Sequence, residues 1–91
     1  MLKITLYATL REIAGGKTLH IPFEGGTVRD FVAALAAEHP AIAEKLVDGA
    51  GQLTGEVHVF VQGRNVVWLD GLDTVIADGD EIDLIPPVAG G

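Results

Sequence analysis

Between Thr27 and His39 the apolar residues fall at Val28, Phe31, Val32, Leu35 and Ala36. That i, i+3, i+4, i+7, i+8 stripe marks an amphipathic helix with a single buried face. Thr27 suits the N-cap, and Asp30 three residues on completes a capping-box-like pair. Pro40 disfavours helical geometry at His39 and closes the segment there. A short second helical piece is predicted at 41–47, where Ile42 and Leu46 stand one turn apart. One such helix covers one face of a small sheet, so the remaining apolar residues must be arranged to meet it.

The rest of the chain supplies the sheet. Leu2, Ile4 and Leu6 alternate with Lys3, Thr5 and Tyr7, and Leu19, Ile21 and Phe23 alternate across 18–23. Both are period-2 strands with one buried face, predicted to pair as an antiparallel hairpin through a long loop carrying Gly15-Gly16. Gly25-Gly26 breaks the pattern before the helix. Val57, Val59 and Val61 mark a third strand, 62–65 a turn and 65–69 a short fourth strand. Asp48 to Gly51 reads as a loop; Asp70-Gly71 and Asp78-Gly79 read as turns. Glu81 to Ile85 is the last strand, with Ile82 and Leu84 inward. The order predicts an α+β roll of the β-grasp (ubiquitin-like) type, one main helix on a four- or five-stranded mixed sheet. The first and last strands would lie parallel at its centre, because a connection containing a helix permits parallel pairing. At 91 residues the chain is read as a single domain over 1–91, with 86–91 an exposed tail.

Composition narrows the chemistry. There is no Cys and no Ser, which removes disulfides, thiolate nucleophiles and Ser-His-Asp triads. His20, His39 and His58 match no metal-ligand spacing, and no metal site is expected. Gly15-Gly16 and Gly25-Gly26 lack the Lys-Ser/Thr or G-x-G-x-x-G context of a phosphate loop. A formal net charge of −7 repels a phosphate backbone and suits partners with basic surfaces, so no nucleic-acid partner is expected. No segment approaches the roughly 18 apolar residues of a membrane span, and no signal peptide is evident, so no membrane partner and a cytoplasmic location are expected. Asp78, Asp80, Glu81 and Asp83 lack the ligand register of an EF-hand. They read as a turn and a solvated strand face, and as an electrostatic handle for a partner.

The tail carries the strongest signal. Ile85-Pro86-Pro87 ends sheet pairing, because Pro has no N–H and fixes φ, and the chain then narrows through Val88, Ala89, Gly90 and Gly91. Residues without Cβ let backbone pass a narrow channel. A stiff Pro-Pro root with a thin tip is suited to presenting a terminal carboxylate to another protein's site.

The runs Tyr7-Ala8-Thr9-Leu10-Arg11-Glu12, Gly26-Thr27-Val28-Arg29-Asp30, Asp78-Gly79-Asp80-Glu81-Ile82 and Pro86-Pro87-Val88-Ala89-Gly90-Gly91 resemble the MoaD/ThiS family of ubiquitin-like sulfur carriers over essentially the whole chain. The longer stretch 65–74 is similar to that of CysO-type carriers and archaeal small modifier proteins rather than ThiS-type ones. The resemblance implies a β-grasp fold and a carrier with no catalytic side chain or permanently bound cofactor. It implies that an E1-like adenylyltransferase uses ATP to adenylate Gly91, with Gly90 beside it. A sulfur donor then displaces AMP, and the resulting thiocarboxylate gives sulfur to a sulfur-accepting synthase subunit or enzyme in molybdopterin, cysteine or related biosynthesis. A ubiquitin-like modifier joining Gly91 to a target lysine is the alternative.

Strand alternation predicts a docking patch as well. With Leu6, Val59, Val61, Ile82 and Leu84 facing the helix, Tyr7, Phe60 and Ile85 face away from it on the uncovered side. Together with Pro86, Pro87, Val88 and Ala89 they form the expected partner-binding set. Arg11 and Arg64 are read as solvated charges.

Overall fold

The computed structural model describes residues 1–87. In chain order the elements are β1 (Leu2–Leu6), α1 (Thr9–Ala14), β2 (Thr18–Ile21), β3 (Gly25–Thr27), α2 (Val28–Glu38), α3 (Pro40–Ala43), β4 (His58–Val61) and β5 (Arg64–Asn65). Two 3-10 turns (Val66–Trp68 and Gly71–Asp73), β6 (Val75–Ala77) and β7 (Glu81–Ile85) follow. Five strands form one mixed sheet in the order β2-β1-β7-β4-β5. The predicted central parallel pair is present: β1 runs alongside β7 from Lys3 opposite Glu81 to Leu6 opposite Leu84. The fold is the α+β β-grasp roll expected from the sequence.

α2 forms where the apolar stripe placed it. Thr27 Oγ1 accepts from the Asp30 N–H at 3.2 Å and Asp30 Oδ2 accepts from the Thr27 N–H at 3.0 Å, a reciprocal capping box. Val28, Phe31 and Leu35 are fully buried and join Leu2, Ile4, Leu6, Ile82 and Leu84 in one core. Such side chains contribute roughly 1.5–3 kcal/mol apiece relative to exposure. Phe23 packs edge-on against Phe31, with ring centroids 6.4 Å apart. The stripe stops at Leu35, because Ala36 is exposed. His39, held out of helical geometry by Pro40, ends α2, and Pro40 opens α3 at a position where its missing N–H costs nothing.

Five local expectations are corrected. The long loop after β1 contains α1; Leu10 is its buried residue, and Gly15 caps it at φ +76° with its N–H on the Arg11 carbonyl. The second helical piece is four residues at Pro40–Ala43 rather than 41–47, although Ile42 and Leu46 are both buried. The strand predicted at 65–69 is absent. Only Arg64–Asn65 pairs with β4, and Asn65 Oδ1 then accepts from the Val67 N–H at 3.0 Å, drawing the chain into a 3-10 turn. Gly25–Thr27 pairs with Val75–Ala77 as a separate two-stranded sheet, which glycines conceal from propensity reasoning. The predicted turn at 62–65 is tighter than expected: Gln62 (φ +52°) and Gly63 (φ +80°) form the two-residue tip.

Candidate functional site

Because β7 is central and parallel to β1, its last residue lies at the end of the sheet where β1 gives way to α1. Ile85 is paired with His58 on β4, and the chain leaves the sheet through half-buried Pro86 and exposed Pro87. The strand leading to the tail is thus paired on both sides as far as Leu84, and Ile85 is held by β4. Gly90 and Gly91, the reacting end in the sequence reading, and Val88 and Ala89 of the expected partner-binding set lie outside the described residues.

The face of the sheet opposite α2 carries the predicted patch. Tyr7, Phe60 and Ile85 are all half-buried there. Asp83 sits among them: it is opposite Phe60 in the β4–β7 register and opposite Thr5 in the β1–β7 register, and its Oδ1 accepts from the Tyr7 hydroxyl at 3.3 Å. Arg11 is not a free solvated charge. Its Nε donates to the Leu6 carbonyl at 2.9 Å and its guanidinium lies 5.6 Å from the Tyr7 ring centroid, a cation–π contact. Ala8 bends the chain at φ +54°, turning it from β1 into α1 and bringing Arg11 back over Tyr7. The local reason for an Arg here is therefore orientation of the ring beside the tail root. Arg64 is exposed.

A groove flanks the tail root, lined by Thr9, Leu10 and Ile13 of α1, by Lys45, Glu56 and Val57, and by Pro86 itself. Sequence reasoning missed it because it treated 8–17 as loop; the spacing of Leu10, Ile13 and Ala14 is the helical signal that could have found it. His58, which matched no metal-ligand spacing, stands opposite Ile85 beside the patch. Of the acidic cluster, Asp78 holds the N-terminal ammonium at 3.0 Å and Asp80 Oδ2 accepts from the Ala77 N–H at 2.9 Å, both structural roles. Glu81 is exposed as expected. Among the described residues no three His, Asp or Glu side chains converge as a metal site. No helix among them is long and apolar enough to cross a membrane. What the arrangement offers chemically is presentation: a rigid exit, an apolar patch around one carboxylate, and Lys45 near the root.

Comparison with known proteins agrees with this picture. The model of the ThiS family matches residues 4–91. Small archaeal modifier protein 3 of Haloferax volcanii is 38% identical over 91 residues, covering 99% of this chain and 98% of that protein. The sulfur carrier protein CysO of Mycobacterium tuberculosis is 33% identical over 90 residues, covering 97% of this chain and 96% of that protein. Among solved structures, the Amycolatopsis orientalis BexX/CysO complex contains a chain that superposes with a TM-score of 0.84 at 27% identity, covering 100% of both chains.

Proposed function

The chain belongs to the ThiS family, and on that footing we propose that it is a sulfur carrier whose reacting group is the α-carboxylate of Gly91. The observation that carries this reading is the tail root: Ile85 ends the central strand, paired on both flanks, and the family match continues past Pro86-Pro87 to residue 91. In the proposed cycle the Gly91 carboxylate attacks the α-phosphorus of ATP in the site of an E1-like adenylyltransferase, and pyrophosphate leaves. A hydrosulfide-level donor then adds to the acyl carbon; the C–S bond forms, the C–O bond to AMP breaks, and a thiocarboxylate remains. Its sulfur, more nucleophilic near neutral pH than the oxygen it replaces, is passed to an acceptor enzyme.

In this scheme the carrier's own contribution is positional. The sheet anchors the root, Pro86-Pro87 stiffens the exit, and Tyr7, Phe60 and Ile85 dock the partner. The BexX/CysO complex, in which a relative is seen with another protein, supports docking of this kind. The test is ATP–pyrophosphate exchange by the adenylyltransferase. Exchange should depend on the chain and disappear when Gly90 and Gly91 are deleted; undiminished exchange with the truncated chain would refute the assignment.

The similarity to a small archaeal modifier protein favours a second reading. The same adenylate would be captured by a target lysine amine, forming an isopeptide bond as AMP leaves. Higher-mass conjugates of a tagged chain that vanish on deleting Gly91 would establish this outcome.

A further inference from the structure

The chain's single Trp, Trp68, is 85% exposed, flanked by Val67 (56%) and Leu69 (40%). Scattered surface apolar residues are ordinary, but three in succession, including the residue type most enriched at binding hot spots, call for an explanation. The corner is also held in place. Val66 and Leu72 are buried on either side, Asn65 Oδ1 caps the turn through the Val67 N–H at 3.0 Å, and the Leu69 N–H returns to the Val66 carbonyl at 3.0 Å. Buried Thr74 receives the Asp70 N–H at 3.1 Å on its hydroxyl and ties the loop to α2 by accepting the Val28 N–H at 2.9 Å. The fold thus fixes an exposed Trp, reducing the ordering cost of binding through it.

Its location relates it to the tail. β5 and β7 are both antiparallel to β4, so they run the same way, with Asn65 and Asp83 both opposite Phe60. Past Asn65 the chain turns, and Val67, next to Trp68, lines a groove with His58, the residue opposite Ile85 where the chain leads into the tail. The surface between them is grooved. Val57 lines the groove at Pro86 and also a second groove bordered by His58, Asn65 and Val67. Exposed Glu56 lines the groove at Pro86, exposed Asp70 follows the corner directly, and the chain carries a formal charge of −7. A second copy of the chain would be repelled, whereas a cationic rim would be attracted.

We propose that the Val67–Trp68–Leu69 corner is a second anchor, seated in an apolar, Lys/Arg-rimmed pocket of the adenylating enzyme while the tail occupies the active site. The inference rests on the sulfur-carrier reading and adds the surface that grips the partner. The physical reason is that the tail is itself the reacting group and must move between steps. Binding energy drawn from a remote, non-reacting anchor orients it without being lost when its end changes chemically.

The experiment replaces Trp68 with fluorotryptophan and follows its single fluorine NMR resonance as unlabelled E1-like adenylyltransferase is added, with ATP–pyrophosphate exchange measured in parallel. The expected result is a shifted resonance with the full chain and with the chain lacking Gly90 and Gly91, although the latter supports no exchange. Trp68→Ala should raise the KM for the carrier at least about tenfold with kcat held within about twofold, and Trp68→Phe should fall between. Normal exchange with an unmoved resonance would overturn the proposal and leave the carrier function standing. Absence of exchange with the full chain would instead refute the underlying reading and the anchor with it. A resonance that moves with the chain's own concentration would assign the corner to self-association and also overturn the proposal. If Trp68→Ala failed to fold, the resonance of the intact chain would still decide.

Discussion

At Gly26 a Cβ would stand 2.7 Å from Asp30 Oδ2, and φ is +152°, so a side chain there meets both the cap and a disfavoured backbone region. Gly26→Ala should therefore loosen the start of α2 and lower the thermal midpoint, as measured by circular dichroism. Removing the cap hydroxyl directly, by Thr27→Ala, should cost about 1 kcal/mol in urea unfolding at neutral pH. Asp30 is held below the ordinary carboxylate range, chiefly by the backbone Thr27 hydrogen bond and then by the Thr27 side chain; desolvation opposes this, and Arg29 adds the smallest contribution to the lowering. A depressed folded-state pKa means the contribution is fully present above the unfolded-state value and is lost as pH falls through the folded one. Urea melts from neutral into strongly acid solution should show this loss, and Asp30→Asn should remove that portion of the slope. Gln62 shows a choice of the same kind: its N–H donates to the Glu81 carbonyl at 2.9 Å while its Oε1 accepts from the Glu81 N–H at 2.6 Å. Asn, the usual residue for such a turn, is one methylene shorter and would not reach as far.

Among the elements, the central pair β1 and β7 and the helix α2 were legible because their periods are unambiguous: Leu2, Ile4, Leu6, Ile82 and Leu84 alternate, and Val28, Phe31 and Leu35 repeat at helical spacing. The pieces that escaped are short and decided by single hydrogen bonds or by tertiary pairing. Asn65 ends β5 through its side chain, Gly15 caps α1, and the glycines of β3 form a ladder only because Val75–Ala77 lies opposite. The site divides the same way. Tyr7, Phe60 and Ile85 follow from alternation, whereas Arg11 over Tyr7 and the groove beside Pro86 depend on α1, which periodicity did not find. Leu84→Ala, in the fully buried row of β7, should cost roughly 2–5 kcal/mol by equilibrium unfolding. Phe60→Asp acts on the open face of the same sheet. It should leave the circular dichroism spectrum unchanged yet raise the carrier KM for adenylation at least about tenfold; an unaltered KM in a folded variant would remove the patch from the docking surface.

At the scale of the whole molecule, the central parallel pair places the tail root at the middle of the sheet, between the open apolar face and the α1 groove. In the proposed cycle the described part of the chain is a handle for a terminal group that other proteins activate and consume. The central claim is that Gly91 carries sulfur, and the direct measurement is the intact mass of the chain from its native host, followed by the mass of its C-terminal peptide. The account predicts a fraction heavier by one exchange of oxygen for sulfur, localised to the peptide ending in Gly91 and increased by incubation with ATP, the adenylating enzyme and a sulfur donor. A chain that carries only the carboxylate in the cell and gains no mass in that incubation would contradict it.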